Sequence, residues 1–304
     1  MSAASIPYVR DFAFEYGRSD RVSPLIRRVI ARNPGPFTFT GTGTYIVGGD
    51  APGGTVAVLD PGPPDDAHLA ALLKAVRGQT VSHVLVTHTH RDHAPLARPF
   101  AEAAGAVVLA ARPPRTLVHA SGGTHEDDDD DFHPDRILAD GERIAGDGWT
   151  LETVATPGHA SNHLAFALLE ENALFTGDHV MGWSTTVVTP PDGSMSDYIA
   201  SLEKVMARGF DTLWPTHGPP IRQPGPFLGA YLAHRMEREA QIIARLSAGD
   251  RTIAQMVPRL YAAVDSRLWP AASLSVQAHL IRLVETGVVI ATPSPTLDAD
   301  YVLI

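Results

Sequence analysis

Cysteine is absent from the chain, which excludes disulfides and thiolate metal ligands together. Any metal this protein holds must be held by histidine, aspartate or glutamate. Long apolar runs are missing too. No stretch approaches the roughly 18 uninterrupted apolar residues of a membrane-spanning helix. Residues 1–17 carry Arg10, Asp11 and Glu15 and lack the apolar core of about 7–15 residues that marks a secretory leader. The expectation is a cytoplasmic protein with no membrane partner. An excess of positive charge is also lacking. The net charge of −10 argues against a protein that grips phosphate backbones by charge alone. Six of the negative charges form one run at 126–131, which reads as a solvated surface loop because like charges repel and extend.

What is present suffices for a sizeable core. The 304 residues are 44% hydrophobic, enough for one large domain and a small one. Short apolar runs at 44–47, 56–59, 81–86, 107–109, 151–154, 164–168, 173–175 and 212–214 predict strands. Helical spacing predicts helices over 65–76 and 92–104, the second tolerating Pro95 in its first turn. Four prolines and two glycines break the pattern at 218–226. This divides the chain into a unit over 1–222 and another over 223–304. The second unit predicts helices at 227–246, 253–261 and 274–286, with strands at 288–291 and 301–303 pairing as a hairpin. Three helices and a hairpin suggest a winged helix. From Pro219 onward, eight arginines face seven acidic residues, so the clear basic face of a DNA reader is missing.

One segment concentrates the chemistry. Residues 87–93 read Thr-His-Thr-His-Arg-Asp-His, placing His88, His90, Asp92 and His93 within six positions. A packed core has no use for such a cluster, because each side chain would need a polar partner. Three more motifs each follow a predicted strand and set one potential ligand beside a glycine: Gly158-His159, Gly177-Asp178 and His217-Gly218. Functional groups at strand ends, on loops, are where a rigid scaffold usually places chemistry.

Together, His-x-His-x-Asp-His, Gly-His, Gly-Asp and the final His resemble the metallo-β-lactamase superfamily over about residues 38–220. The His-Arg-Asp-His and Pro-x-His-Gly-Pro segments and the C-terminal winged helix resemble the subfamily named for β-lactamase-like protein 2. The resemblance implies an α/β fold, an αββα four-layer sandwich with a small C-terminal winged-helix-like domain. It implies two divalent metal ions, zinc first, with iron or manganese as alternatives. His88, His90 and His159 would hold one ion. Asp92, His93 and His217 would hold the other, and Asp178 would bridge them. Asp92 would also orient the nucleophile or shuttle its proton. Asp60, in Leu59-Asp60-Pro61-Gly62, stands where the family often has a carboxylate that orients a metal-binding histidine. An ordinary strand-end turn is the other reading of it.

The activity implied is that of a dinuclear hydrolase, in which a hydroxide shared by two ions attacks an ester, thioester or lactone carbonyl of a small-molecule substrate. An endoribonuclease is known in the subfamily, so a metal-dependent ribonuclease or phosphodiesterase acting on RNA is the second reading. A non-enzymatic nucleic-acid or partner-binding protein is the third. The loop after Asp178 carries Met181 and Trp183 and would form one wall of a substrate pocket. Trp183 also reads as a core anchor, and Tyr198 is a candidate to reach the pocket with its hydroxyl. His163, four residues past His159, reads as a surface or strand-start histidine, with a role near the site as the other reading, and His179 is ambiguous. His83, His119, His125, His133, His234 and His279 read as background.

Overall fold

The computed structural model describes residues 5–112 and 132–304. The acidic run at 126–131, His119 and His125 lie outside the described residues.

Seven strands form the first sheet in chain order: β1 (Asp20–Arg21), β2 (Ile26–Ile30), β3 (Gly43–Val47), β4 (Thr55–Leu59), β5 (Thr80–Leu85), β6 (Val107–Ala110) and β7 (Arg136–Ile137). Pairing is antiparallel from β1 to β4 and parallel from β4 to β7. Parallel neighbours need crossovers, and α1 (Asp66–Ala75) and α2 (Ala97–Ala104) supply two of them. The side chain of Asp65 caps α1 by accepting from the backbone amides of Ala67 and His68.

Helix α2 is shorter than the spacing predicts. It starts at Ala97, and residues 90–96 form turns in which the amides of His93 and Ala94 donate to the His90 carbonyl. Pro95 disfavours helical backbone at Ala94, and the turns leave the side chains of Asp92 and His93 facing inward.

The second sheet holds β8 (Arg143–Gly146), β9 (Trp149–Ala155), β10 (Leu164–Leu168), β11 (Ala173–Gly177) and β12 (Thr212–Pro215), in the order β12-β11-β10-β9-β8. Only the β11–β12 pair is parallel.

Alternation along the strands builds the layers. Tyr45 and Val47, Ala57 and Leu59, and Phe166 and Leu168 point between the two sheets. Ile46, Val56 and Val58 point outward onto α1 and α2. Ala165, Ala167 and Leu174 point the other way, onto α3 (Met195–Arg208) and the first half of α4 (Pro224–Ser247). Both faces of each central strand are therefore buried, which is why the strands read as near-continuous apolar runs. The result is an αββα four-layer sandwich.

The remaining elements are α5 (Ile253–Leu260), α6 (Trp269–Glu285) and a hairpin of β13 (Val289–Thr292) and β14 (Asp300–Leu303). They pack around Val257, Val276, Leu280 and Tyr301 in a core of their own. Helix α4 belongs to both cores. Phe227, Leu228 and Tyr231 pack on the sandwich, and Ile242 and Leu246 on the winged-helix-like unit. Pro224 stands at the first turn of α4, where its missing amide proton costs nothing.

Topology brings the strand ends together. Strands β4 and β5 run parallel, so Asp60 and the 87–93 segment leave the sheet at one edge. In the second sheet, β9 and β11 are both antiparallel to β10, and β12 is parallel to β11. Their C-terminal ends therefore share an edge, which places His159, Asp178 and His217 side by side. The two edges are tied by the Gly43 amide donating to the Thr216 carbonyl and the Leu164 amide donating to the Thr87 carbonyl, both at 2.8 Å.

Candidate metal centre

At that shared edge, three overlapping groups of donor atoms converge, the atoms of each lying within 4.8 Å of one another: His88 with His90 and His159, His88 with His93 and Asp178, and Asp92 with His93 and His217. Around the first group, Nδ1 of His90 lies 2.9 Å from Nε2 of His88 and 3.2 Å from Nε2 of His159. Around the other, Nε2 of His217 lies 3.0 Å from Asp92 and 3.4 Å from Asp178. Nε2 of His93 lies 3.5 Å from Asp92 and 3.6 Å from Asp178. Asp178 also faces His159, at 3.9 Å, so its carboxylate stands between the groups.

The donor set fits divalent cations. Donors bound at about 2.0–2.2 Å to one tetrahedral ion stand roughly 3.3–3.6 Å from each other, close to these separations. Buried polar atoms also face inward without a hydrogen-bond partner: both oxygens of Asp92, Oδ1 of Asp178, and Nε2 of His93 and His217. Unpartnered buried groups of this kind are costly unless something else satisfies them.

Hydrogen bonds at the far side of each ring set the tautomers. Thr87 donates its hydroxyl to Asp60, so Nδ1 of His88 must donate to that hydroxyl oxygen, 3.0 Å away. Nδ1 of His93 donates to Asp60 at 2.9 Å, Nδ1 of His159 to the Val187 carbonyl at 2.7 Å, and Nδ1 of His217 to the Gly41 carbonyl at 3.3 Å. Four rings thus turn Nε2 toward the centre. His90 turns the opposite way and offers Nδ1.

Asp60 is the hub of this arrangement. Its carboxylate accepts from the Thr87 amide, the Thr87 and Thr216 hydroxyls, and His93. It is 1% exposed and holds a left-handed φ of 47° that a non-glycine residue rarely adopts. Four hydrogen bonds offset that strain.

Burial lowers the basicity of His217, but Asp178 and Asp92 overcome it and push its pKa up to about 10. Burial opposes charge on His93 as well, and Asp92, Asp178 and Asp60 raise its pKa well above the ordinary imidazole value. Burial would raise Asp92, yet His93 and His217 bring it down to about 2. Asp178 is likewise held well below its ordinary value, with His217 and His93 prevailing over burial. His88 behaves oppositely: burial, then the neighbouring imidazoles, lower it well below its ordinary value. His93 and His217 therefore favour cationic charge against the carboxylates, and burial favours the neutral form of His88.

An open cleft reaches this centre. His159 and Asp178 form its floor. Pro36, Phe37, Met181, Trp183 and Val187 supply an apolar wall, and Phe39 stacks on Trp183 with ring centroids 4.9 Å apart. Met181 and Trp183 thus stand where the sequence expected a pocket wall. Tyr198 does not line the cleft. It is fully buried under the loop, and its hydroxyl donates to the His179 carbonyl at 3.0 Å.

His163 departs from the surface reading. It precedes β10 as a strand-start residue but is 1% exposed, and its Nε2 accepts from the Asp178 amide at 3.1 Å. Its Nδ1 must then be the protonated nitrogen, donating to Thr156 at 2.8 Å. Gly177, at φ 52°, makes room for it: a Cβ there would sit 2.5 Å from the ring. The structure favours the near-site reading of His163, at which its spacing from His159 hinted, over the surface one.

The geometry can be compared with known proteins. Residues 38–217 match the Metallo-beta-lactamase superfamily, and residues 252–296 match the Beta-lactamase associated winged helix domain. The chain belongs to the metallo-beta-lactamase superfamily. It is a metallohydrolase of that superfamily with an appended winged helix. A Beta-lactamase-like protein 2 homolog from Caenorhabditis elegans is 31% identical, over 89% of this chain and 88% of that one. An atrochrysone carboxyl ACP thioesterase from Aspergillus aculeatus is 33% identical, over 75% of this chain and 66% of that one. A beta-lactamase domain protein from Burkholderia ambifaria shares the fold with a TM-score of 0.80 at 22% identity, covering 97% of this chain and 96% of that one. No described helix is long and apolar enough to cross a membrane.

Proposed function

We propose that this protein hydrolyses an ester or thioester whose acyl group is apolar, at a pair of divalent ions. The observation that carries the reading is the cleft wall. Pro36, Phe37, Met181, Trp183 and Val187 line the same cleft as His159 and Asp178, and among the described residues no lysine or arginine lines it. A phosphodiester brings anionic charge that such a wall does not answer. An uncharged acyl chain or ring gains by leaving water there. The thioesterase named among the relatives supports the same class.

In this reading His88, His90 and His159 hold one ion, and Asp92, His93 and His217 hold the other. Asp178 serves both. When bound, such ions bring the pKa of water to about 7 and polarise the carbonyl. The chain's residues do the rest. Asp60 fixes the His93 ring and, through Thr87, the His88 ring. Oδ1 of Asp92 is free of hydrogen bonds and takes the proton of the attacking water. Trp183 and Phe37 hold the acyl group and exclude water from its far side.

The test is a substrate panel on purified, metal-loaded protein: p-nitrophenyl esters and acyl thioesters of increasing acyl size, a bis-phosphodiester, and single-stranded RNA. The expected result is turnover of esters or thioesters that improves with apolar acyl size and vanishes with chelator and in Asp92→Ala. Turnover of the phosphodiester or RNA alone, or activity that survives chelation, contradicts the proposal.

A further inference from the structure

We infer that Arg235, on helix α4, is a positioning residue for the metal centre, acting through the backbone at Thr186 and Val187. The inference rests on the reading of His159 and Asp178 as metal ligands.

Arg235 is buried, at 4% exposure. Among the described residues no carboxylate pairs with it, and its Nε has no hydrogen-bond partner. A cation taken out of water without a counter-ion is unfavourable, and methionine would fill the same space without that cost. What methionine could not do is donate. Nη2 of Arg235 donates to the Thr186 carbonyl, while the guanidinium lies over the Tyr198 ring at 5.0 Å.

That carbonyl belongs to a junction of the centre. The Thr186 hydroxyl lies 2.9 Å from the Asp178 carbonyl and 3.0 Å from the His179 carbonyl, donating across the two. The next residue, Val187, accepts the Nδ1 proton of His159 at 2.7 Å. One dipeptide therefore sets the His159 tautomer and anchors the backbone that carries the Asp178 carboxylate.

Tyr231 stands one helical turn before Arg235, on the same face of α4. Its hydroxyl contacts the Met181 amide at 3.2 Å, the Met181 carbonyl at 2.8 Å and the Ser184 carbonyl. Helix α4 thus grips the 181–186 loop at several backbone points from below, while the loop's other side lines the cleft. Loops lacking such ties would be free to move. The helix that leads into the winged-helix-like unit is in this way built into the support of the metal site.

The experiment measures stepwise zinc affinity by chelator competition, together with the Co(II) absorption spectrum, for the full chain and for Arg235→Met, Arg235→Lys and Thr186→Val. Wild type must take up two ions. If it does not, the reading of the centre fails, whatever the variants do. Given two ions, Arg235→Met and Thr186→Val are expected to weaken one of them about tenfold, as loss of an outer partner does, and to alter the Co(II) spectrum. The ion among His88, His90 and His159 is expected to lose the most, the other, which depends on this junction through Asp178 alone, to lose less, and Arg235→Lys to recover part of the loss. Folded variants with wild-type affinities and an unaltered spectrum overturn the inference. Should Arg235→Met not fold by circular dichroism, Thr186→Val and Arg235→Lys decide it by the same readouts.

Discussion

Among the described residues, two buried polar clusters that contain histidine and carboxylate differ in how they end. At the α4–α6 interface, Glu239 accepts from Arg282 at 2.6 Å with one oxygen and lies 3.4 Å from Nδ1 of His279 with the other. That cluster closes on itself. At the strand ends, the outer nitrogens of His88, His93, His159 and His217 are tied down just as firmly, but Asp92, Asp178, His93 and His217 turn unpartnered atoms toward a shared interior. A closed cluster fixes two helices. An open one, with its rings pre-oriented, is built to receive something positive.

The comparison breaks most visibly under substitution of one residue from each cluster. Asp178→Ala is expected to abolish hydrolysis, losing more than the roughly 10- to 100-fold that outer partners cost. His279→Leu is expected to leave kcat/KM unchanged. Steady-state kinetics on an active ester or thioester checks both, and activity lost in His279→Leu but kept in Asp178→Ala would invert the assignment. Stability is expected to divide the other way. Glu239→Ala leaves Arg282 and His279 without their carboxylate and is expected to cost about 3 kcal/mol in denaturant unfolding, with the activity of the folded fraction intact. A cost near zero would mean the cluster is not closed but solvated.

Asp60 sharpens the contrast from inside the open cluster. Asp60→Asn cannot accept the same set of protons from His93, Thr87 and Thr216. A fall in metal affinity of about 10- to 100-fold is expected by chelator competition. Unchanged affinity would make Asp60 a turn residue only. The smallest effect is a count of protons. In the metal-free centre the carboxylates favour extra protons on His217, whose pKa is pushed up to about 10, and on His93, raised in the same direction. Zinc binding must displace them, so calorimetry in buffers of different ionisation enthalpy is expected to show net proton release. No buffer dependence would contradict the charge balance described above.

Much of the site was legible because its residues are close in sequence or stand beside glycine at strand ends. His88, His90, Asp92 and His93 crowd into one segment, and no core tolerates that without a purpose. The central strands were legible as apolar runs because both faces are covered. What escaped depends on partners far apart in the chain. Strand β2 reads Ile-Arg-Arg-Val-Ile, and its paired arginines hide it until Arg28 is seen buried with its guanidinium 4.6 Å from the Phe12 ring centre. Beyond its spacing from His159, His163 gives no local sign that its ring meets the Asp178 amide 15 positions on. Tyr198 looked available for the pocket because it follows the loop after Asp178, yet the positive-φ Gly158 packs so tightly on its backbone that a Cβ would sit 2.3 Å from its Cα. The hold of Tyr231 and Arg235 on the 181–186 loop spans about fifty positions, and no spacing rule announces it.

Anomalous X-ray scattering at the zinc edge, on crystals of the full chain grown with excess zinc, tests the central claim most directly. The expected result is two peaks, one among His88, His90 and His159 and one among Asp92, His93 and His217, with the Asp178 carboxylate between them. No peak at these side chains in zinc-saturated crystals, or a single ion held elsewhere, would contradict it.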